Sequence, residues 1–199
     1  QSLPGGKRKG LNVVTWGMRL PPPRVPPSPT MNPRLAFAGM YGPVAPEGDY
    51  RFVLTKGKNT HEGVLSIVYD PTSPHTAEDR ALQQRTVLRL SDLTARLAWM
   101  GAAVDELRDA AAERGDGLDE DDKLRRRLDE LAGDLDDFER SIMATGRGQG
   151  IPGVRRLREK VLELYGSVSS YGGRPGSGQL ERMEVLAGGI DEAAARLVS

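Results

Sequence analysis

Three stretches of this chain carry residue types known from phosphate or metal chemistry, and each lacks the spacing or setting that the chemistry needs. Gly148, Gly150 and Gly153 satisfy G-x-G-x-x-G, a pattern that lets a pyrophosphate approach the backbone between a strand and a helix. Here it joins two helical stretches, so no strand precedes it. Lys56-Gly57-Lys58-Asn59-Thr60 shares with a phosphate loop only its composition, because Asn59 stands where Ser or Thr must follow Gly-Lys and no helical pattern comes next. It reads as a turn. The acidic run Asp116, Asp119, Glu120, Asp121 and Asp122 lacks the alternating ligands and terminal Glu of a calcium loop. Negative charge at a helix N-terminus accounts for it.

Other reactive side chains are sparse. Cysteine is absent, which removes disulfides, thiolate metal sites and a cysteine nucleophile. His61 falls in a hairpin pattern and His75 at a junction, with no motif tying a Ser or Asp to either. A di-metal carboxylate centre in a helical bundle needs inward Glu-x-x-His pairs, and neither histidine lies in a helical stretch. Two carboxylates could converge as in a glycosidase, but nothing singles out a pair. The basic runs at 125–127 and 155–158 sit among acidic residues without aromatic platforms, which argues against nucleic acid. The residues therefore assign no catalytic, cofactor-binding or metal-binding position, and no cofactor is expected.

The elements that would have to position a site are clearer. At Asp70-Pro71 a two-residue alternation gives way to almost unbroken heptad spacing. Twelve of the fourteen prolines lie in the first 74 residues, and the run 21–29 can be only polyproline or irregular loop. Residues 11–20 alternate as a strand covered by Trp16. Residues 50–55 and 63–69 flank a turn at 56–59 as a hairpin, with Tyr50, Phe52 and Leu54 on one face. Three or four strands are too few for a closed barrel or a complete sandwich. After the junction, Thr76 and Asp79 suggest a capped helix start. Apolar spacing then predicts helices over about 76–114, 119–145, 152–171 and 177–198, with Asp119 capping the second. Short Gly-rich connections predict that neighbours alternate in direction. The fold class expected is α+β: a partial antiparallel β-unit over 1–70, then a four-helix bundle over 71–199.

Formal net charge is zero, but residues 1–70 carry nine basic against four acidic side chains and residues 71–199 nineteen against twenty-four. Such a split can favour contact between copies, although two separately solvated surfaces are the plainer reading. No run approaches the roughly 18 to 20 apolar residues of a membrane helix, and the first twenty residues lack the apolar core of a signal peptide. No membrane insertion is expected.

The stretch Gly10-Leu11-Asn12-Val13-Val14-Thr15-Trp16-Gly17-Met18-Arg19 resembles the "GLNrvtWdlR" strand of secreted bacterial Asp-box propeller proteins, described as sortilin-like or glycosyl-hydrolase-like. Residues 42–50 resemble their "GPxxxPGtYtvrL" segment, Tyr69-Asp70-Pro71 their step into closing helices, and residues 162–166 with Gln179-Leu180 their last helical pair. Gly17 departs from the usual Asp, and no S-x-D-x-G-x-T-W box occurs. The resemblance implies the C-terminal part of a larger secreted or periplasmic protein, a β-unit akin to part of a fibronectin-III or immunoglobulin-like sandwich, and an upstream propeller or sandwich as partner. On this view the chain is a non-catalytic structural and interaction module with an open docking edge at Val13, Thr15 and Phe52. A self-associating helical scaffold, and hence a homo-oligomer, is the alternative. A hydrolase whose active site lies mainly on a propeller outside this chain is another.

Overall fold

The computed structural model describes residues 1–26, 41–144 and 155–199, and holds a two-stranded antiparallel sheet followed by four helices, a mixed α+β arrangement. Strands β1 (Gly48–Lys56) and β2 (Asn59–Ile67) pair from Gly48 opposite Ile67 to Lys56 opposite Asn59. The loop is thus Gly57-Lys58, with Gly57 at φ 60° and Lys58 on the ordinary negative side. Glycine at the first central position is the II′ pattern, whose twist matches that of the flanking strands. This tight loop also brings residues 59–62 into register, which starts β2 four residues earlier than the alternation predicts. β2 stops at Ile67 because the chain then turns towards the helices, where the Arg80 guanidinium lies 3.9 Å from the centre of the Tyr69 ring.

The strand expected over residues 11–20 does not form. Among the described residues that segment's backbone pairs through one isolated bridge, Arg19 to Val44, with the Leu20 N–H donating to the Pro43 carbonyl and the Ala45 N–H to that of Met18. Met18 sits at φ 49° and Pro21, Pro22 and Pro23 follow without ladder donors, so pairing cannot propagate. The sheet therefore has two strands in place of three or four. Part of the proline-rich stretch, residues 27–29, lies outside the described residues.

Helices α1 (Ala77–Gly115), α2 (Lys123–Ile142), α3 (Leu157–Ser169) and α4 (Ser177–Val198) match the predicted segments to within a few residues at most ends. Residue 145 and residues 152–154 of those segments, and the glycines at 148, 150 and 153, lie outside the described residues. Thr76 caps α1, its hydroxyl oxygen accepting from the Asp79 N–H at 3.1 Å. Asp122, not Asp119, caps α2: its carboxylate accepts from the Leu124 N–H at 2.7 Å, while the Asp119 carbonyl closes a turn with the Asp122 N–H. Gly117, at φ 83°, lies in the turn before it, which the Leu118 N–H closes on the Gly115 carbonyl at the end of α1.

The directions do not alternate. Arg108 reaches Asp136 and Glu139, and Arg125 donates to the Gly115 carbonyl, so α2 runs antiparallel to α1. Gln83 donates to the Val168 carbonyl and Gly101 faces Met143, so α3 runs antiparallel to α1 as well and continues the line of α2. The pairs Arg89–Glu184 and Arg96–Asp191 share a 95-residue offset one heptad apart, which places α4 parallel to α1. The four helices thus form three rods, with α2 and α3 as one interrupted rod. One core joins them: Leu90, Leu97 and Val104 of α1, Phe138 and Ile142 of α2, Val161 and Tyr165 of α3, and Met183 and Ile190 of α4.

The interruption is closed by a buried ion pair. The Arg158 guanidinium donates to Glu159 and, at 3.0 Å, to the carbonyl of Ala144, two residues past the end of α2. Glu159 in turn accepts from the N–H groups of Ala144 and Arg156, so one pair ties the chain just past α2 to the N-terminus of α3. Across the helices lies a strap made by parts of residues 19–26 and 41–46. Pro23, Pro26, Pro43 and Ala45 are buried, the Tyr165 hydroxyl donates to the Tyr41 carbonyl at 2.9 Å, and a Cβ on Gly42 would lie 1.7 Å from the Leu20 carbonyl oxygen.

Candidate docking surface

Among the described residues the hairpin is fixed at its base and largely exposed along its length. Arg80 of α1 pairs with Glu47 at 2.9 Å and donates to the His75 carbonyl, while Gln84 donates to the Val44 carbonyl. The Tyr50 hydroxyl donates to the Pro46 carbonyl at 2.7 Å. Beyond these contacts both nine-residue strands are largely exposed, over about 30 Å at 3.4 Å per residue.

Its two faces differ. One carries Asp49, Arg51, Val53 and Thr55 against Ser66, Val64, Glu62 and Thr60, laced by Arg51 with Glu62 and by the Ser66 hydroxyl donating to Asp49. The other carries Tyr50, Phe52, Leu54, Leu65 and Ile67, with Phe52 55%, Leu54 53% and Leu65 45% exposed. The Phe52 ring lies across Gly63, where a Cβ would come within 2.3 Å of it, so the glycine lets the aromatic cover the sheet. Trp16 covers one end, its ring centre 5.4 Å from that of Tyr50 and its Nε1 donating to the Arg19 carbonyl. No helix of this chain lies on the apolar face among the described residues, since no helix packs substantially on either strand. A monomer rarely leaves such a contiguous apolar face open without a partner.

The three residues expected at a docking edge are all exposed, Val13 at 78%. Only Phe52 belongs to the sheet. Val13 and Thr15 sit in the unpaired N-terminal segment, attached to the hairpin through Trp16. Leu54 and Leu65 complete the face. Leu54 was legible from its alternation with Phe52, whereas Leu65 needed the register.

The edges matter as much as the face. In a two-residue hairpin the pair beside the loop exchanges both backbone bonds, and bonded pairs then alternate. Lys56–Asn59, Leu54–His61, Phe52–Gly63 and Tyr50–Leu65 are thus the bonded pairs. The N–H groups of Arg51, Val53 and Thr55 on β1, and of Thr60, Glu62 and Val64 on β2, point outward, unsatisfied by the sheet.

Elsewhere among the described residues no comparable surface is found. A shallow trough of about 440 Å³ between α1 and α4 is lined by Leu82, Arg85, Thr86, Arg89, Leu180 and Glu184, with no activated nucleophile. A second, of about 480 Å³, lies between α1 and α2 beside Arg108. Asp136 and Glu139 hold Arg108 from α2 and Asp105 from its own helix; the hydrogen bond it donates to Glu139 raises the guanidinium pKa further above its ordinary value. His61 lies opposite Leu54 in the sheet, and the His75 ring packs edge-on against Tyr171. Among the described residues no group of three His, Asp or Glu side chains is placed to hold a metal, and no helix is long and apolar enough to cross a membrane. No family model, curated protein or solved structure matches this chain.

Proposed function

We propose that this chain is a non-catalytic structural and interaction module, and that its apolar sheet face is where it docks. The observation that carries the reading is the combination of a two-stranded sheet, anchored at its base among the described residues, with an apolar face half exposed at Phe52, Leu54 and Leu65. Two strands bury too little to hold such a face by themselves. A partner that adds strands to either edge satisfies the outward N–H groups, and one that lays a layer on the face buries the side chains.

The partner that fits the sequence resemblance is a fibronectin-III or immunoglobulin-like sandwich, or the Asp-box propeller beside it, in the same larger secreted or periplasmic protein. The hairpin then supplies the last strands of that sandwich and the helices close it off. The test is the intact mass and peptide map of the native polypeptide from its source. Upstream peptides with Asp boxes are expected. A native polypeptide of 21.6 kDa, the mass of this chain, overturns the larger-protein part of the reading.

A further inference from the structure

We propose that the far end of the α1–α2 pair is a two-fold contact between two copies of this chain, on a surface separate from the sheet face and independent of the reading above. The 95-residue offset puts the last residue of α4, Val198, beside Ala103, yet α1 runs on to Gly115. The track that α4 occupies continues on both remaining helices. Leu107 stands three turns beyond Arg96 on the stripe of α1 that faces α4. Leu131 and Leu124 precede Phe138 by one and two heptads on α2, and the Phe138 ring lies 5.7 Å from Arg196 of α4. Upstream this track is core; past Val198 all three leucines are exposed.

Charge chooses the occupant. Arg114, Lys123 and Arg127 line the outer part of the shelf, Glu130 and Asp134 the part nearer α4, and none of the five has an ion-pair partner among the described residues. The shelf is therefore graded from basic to acidic along its own length. A second shelf laid antiparallel about Leu131 brings Arg127 of each copy to Asp134 of the other and Leu131 to Leu131, the self-complementarity that an isologous contact requires. The wider region opposes it: residues 105–139 hold fifteen acidic and six basic side chains. Glu106, Asp109 and Glu113, however, follow one another on the opposite face of α1. Two such ends repel at long range, so the dimer tightens as salt screens the repulsion.

Sedimentation velocity of the whole chain, from low to physiological salt, reads the outcome. A dimer that strengthens with salt is expected. Leu131→Asp should return it to monomer with helical circular dichroism unchanged. Arg127→Glu alone should weaken the dimer at least about tenfold, and Arg127→Glu with Asp134→Arg should restore it. Because the chain has no cysteine, Glu130→Cys should form a disulfide-linked dimer under mild oxidation and Glu113→Cys should not. A chain monomeric at high micromolar concentration, equal linking through Glu113→Cys, or failure of the charge swap to rescue overturns the proposal. So does an association that salt dissolves, which would instead mark head-to-tail pairing of the basic β end with the acidic helical end.

Discussion

Replacing Arg158 by Met should destabilise the protein more than any other single exchange of a charged side chain. Its side chain is 4% exposed and that of its partner Glu159 12%. Without the guanidinium, Glu159 keeps the N–H groups of Ala144 and Arg156 but loses its charge partner, and the Ala144 carbonyl loses a donor. Breaking a buried pair from one side costs about 3–5 kcal/mol, and the two remaining N–H donors hold this case to about 3 kcal/mol. Against a total of about 5–15 kcal/mol for a small domain, that is a large fraction. Urea unfolding followed by helical circular dichroism measures it as a lower midpoint at unchanged slope. Arg158→Met with Glu159→Gln removes the stranded charge and should recover most of the loss, because neutral replacement of a buried pair is often close to neutral. A fall below about 1 kcal/mol for Arg158→Met alone would refute the idea that this pair joins α2 to α3.

Other expectations follow from the same structure. The Thr76 hydroxyl, donating to the Asp79 carboxylate and aided by Arg174, holds the Asp79 pKa below its ordinary value; the resulting stability is present above the ordinary carboxylate range and is lost as pH falls through the depressed value. Thr76→Ala should therefore cost about 1 kcal/mol at neutral pH through the lost cap and flatten the acid limb of a melting-temperature profile. Burial raises the Tyr165 phenol above its ordinary pKa, so its contribution is complete below the ordinary value and is lost as pH rises through the raised one. Ultraviolet titration should find one tyrosine that ionises at higher pH than an ordinary phenol, a step absent in Tyr165→Phe. Phe52→Lys with Leu65→Lys should leave the unfolding midpoint nearly unchanged, since both side chains are already half exposed, while lowering the binding of an apolar dye such as ANS and abolishing docking.

The helices were the most legible part of the chain, because heptad spacing, the Thr76 cap and the glycines at 115 and 117 are local signals. Their arrangement was not. Nothing near residues 145–154 shows that α3 continues the line of α2; that depends on a buried pair, Arg158 with Glu159, whose sequence looks like any solvated helix start. Asp119 and Asp122 are equally good caps by type, and the turn in which the Asp119 carbonyl accepts from the Asp122 N–H leaves Asp122 next to the helix. Leu107, Leu124 and Leu131 read as core because they keep the heptad, yet they are exposed because α4 stops short of them. The apolar sheet face was legible through Tyr50, Phe52 and Leu54. The failed strand at 11–20 shows the limit of alternation as a signal: the pattern permits a strand, but a strand also needs a neighbour to pair with.

Amide hydrogen exchange at the hairpin edges, compared between the isolated chain and the native polypeptide from its source, tests the docking claim most directly. In the isolated chain the N–H groups of Arg51, Val53, Glu62 and Val64 should exchange rapidly, as outward groups of a two-stranded sheet do. In the native protein the account predicts strong protection along at least one edge, with slowed exchange at Phe52 and Leu65 as the face is covered. Exchange that does not differ between the two samples at any of the six positions would contradict it.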